Sequence, residues 1–332
     1  MRETDEVKVL VTGGAGFLGS RLARVLLDRG QIGGRSVREM VLADMASPAA
    51  DLLSDPRVRF HQGFLAEAAA ALSREAFDVV FHLAAAVSGE CEADFDLGLR
   101  ANIDSTRGLL EALRAAGNRP RLIFASSVAV FGNDPGLPMP PVIRDNTLPT
   151  PQSSYGTQKF ICEQLVADYS RKGFLEGRSA RLMTVVVRPG QPNAAASGFL
   201  SSIIREPLHG QFAVCPVAPE TAVALASPTL TMRGLIAAAE AQAEAFGGRV
   251  ALNLPALTIR VGEMLDALEQ VAGRAARERV RFEHDPVIHR FVESWPAVFE
   301  NARAARLGLT PDPDFPSIIR QFIREDLSLS GT

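Results

Sequence analysis

The 332-residue sequence predicts an α/β fold, a doubly wound parallel sheet followed by a smaller C-terminal lobe. Two observations carry this. The first half alternates short β-branched runs with helical patterns, as a parallel sheet covered by helices requires. The runs Val79-Val80-Phe81 and Leu122-Ile123-Phe124 are continuously apolar, as strands buried on both faces must be.

Strands are expected over residues 8–12, 39–44, 57–62, 78–83, 121–126 and 183–188. Helices are expected between them over 16–28, 95–116 and 155–171, the first with Phe17, Leu18, Leu22, Val25 and Leu26 on one face. Six prolines between Pro135 and Pro151 exclude a regular helix or central strand, leaving a long loop between Ser127 and Tyr155. Later helices are expected over 231–246, 261–271 and 317–326, with a return to the sheet at 249–252. The resulting division gives residues 1–188, with a return near 225–255, to a dinucleotide-binding domain. Residues 189–224 and 256–332 form a second, substrate-binding lobe.

Bulk composition narrows the function classes. Hydrophobic residues make up 47% of the chain, enough for a full core. A net charge of −3 without a basic run speaks against nucleic acid as a partner. The apolar runs are too short for a membrane span, and the charged start leads straight into a strand rather than a signal peptide. Cys91, Cys162 and Cys215 are odd in number and lack metal-type spacing, so no metal is expected; they read as free thiols of a reducing cytoplasm.

Residues Thr12 to Gly19 place glycines at 13, 16 and 19 between a strand and a helix, the context that gives such spacing its meaning. Gly13 permits the tight turn, Gly16 lets backbone approach a pyrophosphate, and Gly19 allows close helix–strand packing. Phosphates would meet the free N–H groups at the helix start, including those of Phe17 and Leu18. This is a Rossmann-type turn. Asp44, at the end of the second expected strand, would accept hydrogen bonds from ribose hydroxyls and repel a 2′-phosphate, which selects NAD over NADP. A merely structural turn and a solvated strand-end aspartate are the competing readings.

The chain has only two tyrosines and three lysines, yet Tyr155 and Lys159 stand four apart. One helical turn separates them on one face. A tyrosine near pKa ~10 is a poor base at neutral pH, and a neighbouring ammonium together with an oxidised nicotinamide would lower that value toward operating pH. Ser126 and Ser127 leave the fifth expected strand at its carboxyl end, beyond which open α/β sheets bind ligands. One serine is expected to bond the reacting oxygen and the other to satisfy backbone. Asn102 is a candidate to steer a water toward Lys159.

The glycine turn, His82-Leu83-Ala84-Ala85, Asn102, Ser126 to Gly132 and Tyr155-Gly156-Thr157-Gln158-Lys159 together resemble the extended short-chain dehydrogenase/reductase family over nearly the whole chain. The resemblance implies that Ser127 is the catalytic serine, with Tyr155 as base and Lys159 holding the nicotinamide ribose. It adds Leu65 and Ala84 to the cofactor contacts. Two departures stand out: Gly63-Phe64 replaces a Gly-Asp pair, and Phe131 replaces a tyrosine. Residues 188–193, 201–208 and 215–217, with 153–156 running on to Gly173-Phe174, resemble the D-erythronate dehydrogenase branch. That implies NAD-dependent oxidation at C2 of a small anionic sugar acid to the 2-oxo acid. Arg205 is the candidate carboxylate partner, with an exposed arginine ending a helix as the competing reading; Asn193 and Ser197 are expected at hydroxyls, and Ser88 at the pocket wall. A nucleotide-sugar epimerase or dehydratase that retains its NAD, and a non-catalytic NAD sensor, are the alternatives. In similar proteins the helices near 95–116 and 155–171 pair into a homodimer.

Overall fold

The computed structural model describes residues 5–190 and 196–327. Eight strands form the main sheet: β1 (Glu6–Thr12), β2 (Gln31–Ile32), β3 (Arg35–Asp44), β4 (Val58–Gln62), β5 (Val79–His82), β6 (Arg121–Ser127), β7 (Glu176–Leu182) and, after intervening strands, β11 (Leu252–Asn253). Their order is β11-β7-β6-β5-β1-β3, with β2 and β4 both paired to β3. All pairings except β2 with β3 are parallel. The strand order reverses beside β1, which opens a crevice at the carboxyl ends of β1 and β5.

Alternation along each strand builds two cores. Val9, Val11, Met40 and Phe81 pack with Leu22 and Leu26 of helix Phe17–Arg29 and Leu235 of helix Pro228–Glu240. On the other face Leu10, Val80, Leu122 and Phe124 meet Leu109, Leu110 and Leu113 of helix Ser105–Ala116 and Val166 of helix Ser154–Arg171.

A third core gathers Ile203, Val223, Leu265, Phe315 and Ile319. Around it lie helices Gly198–Leu208, Val261–Ala272, Pro286–Glu293 and Phe315–Phe322. A three-stranded sheet joins β8 (Thr184–Val185), β10 (Ala222–Ala226) and β12 (Leu257–Arg260), and a two-stranded one joins β9 (Ala213–Cys215) and β13 (Val280–Phe282).

Three expectations are corrected. The sixth parallel strand is Glu176–Leu182 rather than residues 183–188, which follow it and supply only β8. Its pattern misleads because Arg178 and Arg181 are buried in it through specific partners. Arg178 Nη1 donates to the carbonyls of Ala238 (2.5 Å) and Ala241 (2.7 Å), and Arg181 pairs with Glu163 at 2.8 Å. The Arg178 bonds also explain the second correction. The helix expected over 231–246 begins at Pro228, capped by Ser227, and stops at Glu240, where the guanidinium takes its terminal carbonyls. Third, the helix over 95–116 is interrupted: a π-helical stretch, Leu99–Asp104, inserts between Phe95–Gly98 and Ser105–Ala116 and turns Asn102 inward.

Candidate active site

The crevice at the switch point is a cavity of ≈ 680 Å³ that reaches from the glycine turn to the second lobe. At one end Gly13 has φ +70, and an added Cβ would lie 2.8 Å from the backbone nitrogen of Ala84. That closeness binds the turn to the β5 loop. No side chain caps helix Phe17–Arg29 and its first turn carries no acidic residue, so its N–H groups stay open to an anion. The Asp44 carboxylate sits in the same cavity, accepting from the N–H groups of Ala15 (2.9 Å) and Ala46 (3.1 Å). Phe17, Leu18, Leu65 and Ala84 line this end, as do Gly63 and Phe64. Open amides, glycine cradle and carboxylate in this order suit a dinucleotide's pyrophosphate and ribose.

His82 fixes the loop between these parts. Thr106 Oγ1 donates to the Asn102 carbonyl (2.6 Å), so it accepts from His82 Nε2–H (2.8 Å). Nδ1 then accepts from Thr12 Oγ1 (2.7 Å), which in turn takes the Ala84 N–H (3.3 Å). Burial holds the imidazole neutral, its pKa lowered to about 3, with the charge of Lys159 adding to the effect. The His-Leu-Ala-Ala segment is thus a rigid strut beneath the crevice.

Ser127, Tyr155 and Lys159 meet at the other end. Helix Ser154–Arg171 starts one residue before Tyr155, where Ser153 accepts from Gly156 N (3.1 Å). A Cβ on Gly156 would lie 2.1 Å from the Ala129 carbonyl oxygen, so this glycine lets the helix press against the turn after β6. The Ser127 hydroxyl lies close enough to Tyr155 to pull its pKa down, and it accepts from Ala129 N (3.1 Å). Lys159 Nζ donates to the Ala125 carbonyl (2.9 Å) and lies 5.6 Å from the Tyr155 ring centroid.

The expected lowering of the tyrosine's pKa is not what the protein's own groups produce. Burial comes first and pushes Tyr155 up to about 12, against which the Ser127 hydroxyl pulls down. Burial likewise lowers Lys159 to about 8. Ser126 is also corrected: its hydroxyl donates to Glu163 Oε1 (2.5 Å) rather than to backbone, so of the two serines that line the cavity Ser127 is the one whose hydroxyl is not engaged by Glu163.

Two further sites differ from expectation. Asn102 is 2% exposed and lies outside the cavity lining. Its amide accepts from Ala86 N (2.8 Å) and donates to Gln158 Oε1 (2.7 Å), so it braces the Ala86 loop instead of reaching toward Lys159. Arg205, 6% exposed, donates to the Arg188 carbonyl (2.7 Å) and pairs with Glu206 (2.6 Å) behind the wall. Among the described residues the guanidinium that lines the cavity is that of Arg188, whose Nη2 donates to Ser197 Oγ (3.0 Å); burial lowers its pKa. Ser88 and Ser197 line the cavity, and Ser88 Oγ accepts from Ala196 N (3.2 Å). Asn193 lies outside the described residues. Phe291 and Trp295 complete the wall from the second lobe, more than a hundred residues beyond Tyr155, with no local motif to announce them. Among the described residues no group of three His, Cys, Asp or Glu side chains could hold a metal ion, and no helix is long and apolar enough to cross a membrane.

Comparison with known proteins shows the family. The family model for the NAD-dependent epimerase/dehydratase family matches residues 9–224. The chain is 47% identical over 332 residues to the D-erythronate dehydrogenase of Cupriavidus necator, covering 98% of this chain and 100% of that one. It is 43% identical to the D-erythronate dehydrogenase of Haemophilus influenzae, covering 97% and 100%. A solved structure, described as a nucleoside-diphosphate-sugar epimerase from Agrobacterium tumefaciens, is 42% identical, has a TM-score of 0.91, and covers 99% of this chain and 97% of that one. With its glycine turn, serine, tyrosine and lysine gathered in one cavity, the chain belongs to the NAD-dependent epimerase/dehydratase family.

Proposed function

We propose that this chain is an NAD-dependent dehydrogenase that oxidises the C2 hydroxyl of a small sugar acid, D-erythronate, to 2-oxo-erythronate. The observation that carries it is the Arg188 guanidinium, which lines the same cavity as the Ser127–Tyr155 pair. A fixed planar cation beside a proton acceptor suits a substrate with a carboxylate next to its reacting carbinol. Ser127 fixes the C2 oxygen and Tyr155 takes its proton. The Lys159 ammonium, one helical turn away, favours the phenolate and reaches the ribose side of the cavity. NAD, when bound, accepts the hydride. Its adenosine ribose would lie on Asp44 and its pyrophosphate on the open N–H groups after Gly16. Ser88 and Ser197 supply hydroxyl contacts to the substrate.

The division of labour follows: residues 1–188, with the return near 225–255, hold the dinucleotide, and residues 189–224 and 256–332 close on the substrate. Phe95 and Ile161, 59% and 40% exposed, leave apolar surface on the two helices through which a homodimer would form; gel filtration tests that. Three free buried cysteines suit a reducing cytoplasm.

The test is an NADH-absorbance screen of four- to six-carbon aldonates. D-Erythronate is expected to give the highest kcat/KM with NAD. The Agrobacterium likeness supports a second reading, a nucleotide-sugar epimerase that keeps its NAD. Bound dinucleotide in the purified protein, with no NADH from any aldonate, would establish that reading instead.

A further inference from the structure

The geometry points to Glu163 as a positioning residue for the serine–tyrosine pair, acting through Ser126; this rests on the acid–base reading of that pair. Glu163 stands one helical turn beyond Lys159 on helix Ser154–Arg171 and is 3% exposed. Its Oε1 accepts from Ser126 Oγ (2.5 Å) and from Arg181 Nε (2.9 Å), and its Oε2 accepts from Arg181 Nη2 (2.8 Å). In the sheet Ser126 lies directly beside Arg181, and Ser127 beside Leu182. One carboxylate therefore ties three elements at one point: the helix that carries Tyr155 and Lys159, the end of β6, and β7.

Side chains alternate along a strand, so Ser126 points toward Glu163 and Ser127 leaves the strand on the other side. Anchoring the Ser126 hydroxyl to Glu163 fixes where the chain leaves β6, and hence where the Ser127 hydroxyl stands relative to Tyr155. Apolar packing alone would hold helix against sheet but would let it slide along its own axis. A directional, charge-assisted bond does not. Arg181 holds the acceptor through two hydrogen bonds. It is held in turn by Asn253 Oδ1 (3.5 Å), the Asp145 carbonyl (3.5 Å) and the Phe131 ring, 4.8 Å from its guanidinium carbon. Phe131, in the place of a tyrosine, offers that guanidinium a ring without a hydroxyl to satisfy. A buried ion pair contributes little net stability compared with well-packed apolar residues, so its geometric role is the one that the fold gains from.

Ser126→Ala removes only the link. Because Glu163 replaced alone would strand a buried Arg181, the second variant exchanges both partners, Glu163→Met with Arg181→Met, and a third combines all three changes. The single-turnover rate of NADH formation, with the aldonate that the wild type turns over fastest, reads the chemical step. Each of the first two variants is expected to lose ten- to a hundredfold, the scale of a small misplacement of a reacting group. KM for NAD and the melting temperature of Ser126→Ala stay at wild-type values, and Ser126→Thr, which keeps the hydroxyl, recovers the rate. The combined variant is expected to be no slower than the Met/Met variant. A Ser126→Ala rate within twofold of wild type, or losses that multiply in the combined variant, overturns the proposal. Tyr155→Phe, measured alongside, separates the two readings. If it still turns over, the acid–base assignment is wrong; if it is dead while Ser126→Ala is unaffected, only the role of Glu163 fails.

Discussion

Replacing Lys159 with methionine is expected to inactivate the protein and stabilise it in one step. The ammonium is 3% exposed, and burial lowers its pKa from 10.5 to about 8. The difference, 10.5 − 8 = 2.5, corresponds at about 1.4 kcal/mol per pH unit to about 3 kcal/mol of cost at neutral pH. Methionine would forfeit the bond from Nζ to the Ala125 carbonyl, about 1 kcal/mol, leaving a net gain of about 2 kcal/mol. An unfolding entropy of about 2 cal/mol/K per residue gives about 0.7 kcal/mol/K for a chain of this length, and so a rise in Tm of about 3 °C. The sign with pH follows from linkage. The unfolded lysine keeps its proton up to 10.5, whereas the folded one releases it near about 8. The wild type therefore bears the full cost below about 8 and sheds it between about 8 and 10.5. Calorimetric melts at neutral pH and near the top of that window should show the variant's advantage shrinking as pH rises, while turnover falls by about a hundredfold or more. A variant that melts below wild type at neutral pH, or an advantage that grows with pH, refutes the reasoning.

Asp44→Asn keeps an acceptor at the ribose position but removes the charge. A unit charge at contact distance is worth about 1–4 kcal/mol at the effective dielectric of a surface site, so the NADP-to-NAD ratio of kcat/KM should rise by about tenfold or more; an unchanged ratio removes Asp44 from cofactor choice. Arg188→Gln should raise KM for the aldonate by about ten- to a hundredfold, the worth of a charged hydrogen bond, with KM for NAD untouched. If Arg205→Ala did this and Arg188→Gln did not, the carboxylate assignment would be reversed. Gly13→Ala puts a side chain at φ +70, with a Cβ 2.8 Å from Ala84 N. The left-handed conformation alone costs about 1–2 kcal/mol, so isothermal titration should find NAD binding at least tenfold weaker.

The sequence made most of the fold legible wherever a residue's type agreed with its surroundings. The runs in β5 and β6 are buried on both faces and contain the apolar residues that burial asks for. β7 was not legible, because Glu-Gly-Arg-Ser-Ala-Arg-Leu reads as a charged surface segment until the carbonyls of Ala238 and Ala241 and the Glu163 carboxylate are seen around its two arginines. The site shows the same division. Gly13 to Gly19 and Tyr155 to Lys159 encode their geometry in local spacing, which a turn and a helix preserve. Arg188 and Arg205 both stand in apolar-flanked stretches, and only the packing of helix Gly198–Leu208 decides which enters the cavity. Ser126 and Ser127 posed the same problem: the resemblance selected Ser127, and the bond from Ser126 to Glu163 supplies the physical reason. Trp295 and Phe291 reach the cavity through tertiary contact alone.

The two perturbed groups in the crevice share one first cause, burial. Burial raises Tyr155 to about 12 and lowers Lys159 to about 8, so each is driven toward its neutral form. A nearby carboxylate would relieve the lysine, and Glu163 stands one turn along the same helix. Its oxygens are nonetheless taken by Ser126 and Arg181, and among the described residues no carboxylate forms an ion pair with Lys159. The ammonium is held by a carbonyl and by the faces of Phe124 and Tyr155, 4.9 and 5.6 Å from the ring centroids. A carboxylate at bonding distance would make the protein more stable and the lysine useless, because its field at the phenol would be cancelled. With burial outweighing the field of Glu163 and no direct ion pair, the proposed mechanism would draw on the lysine's charge at the moment of proton transfer.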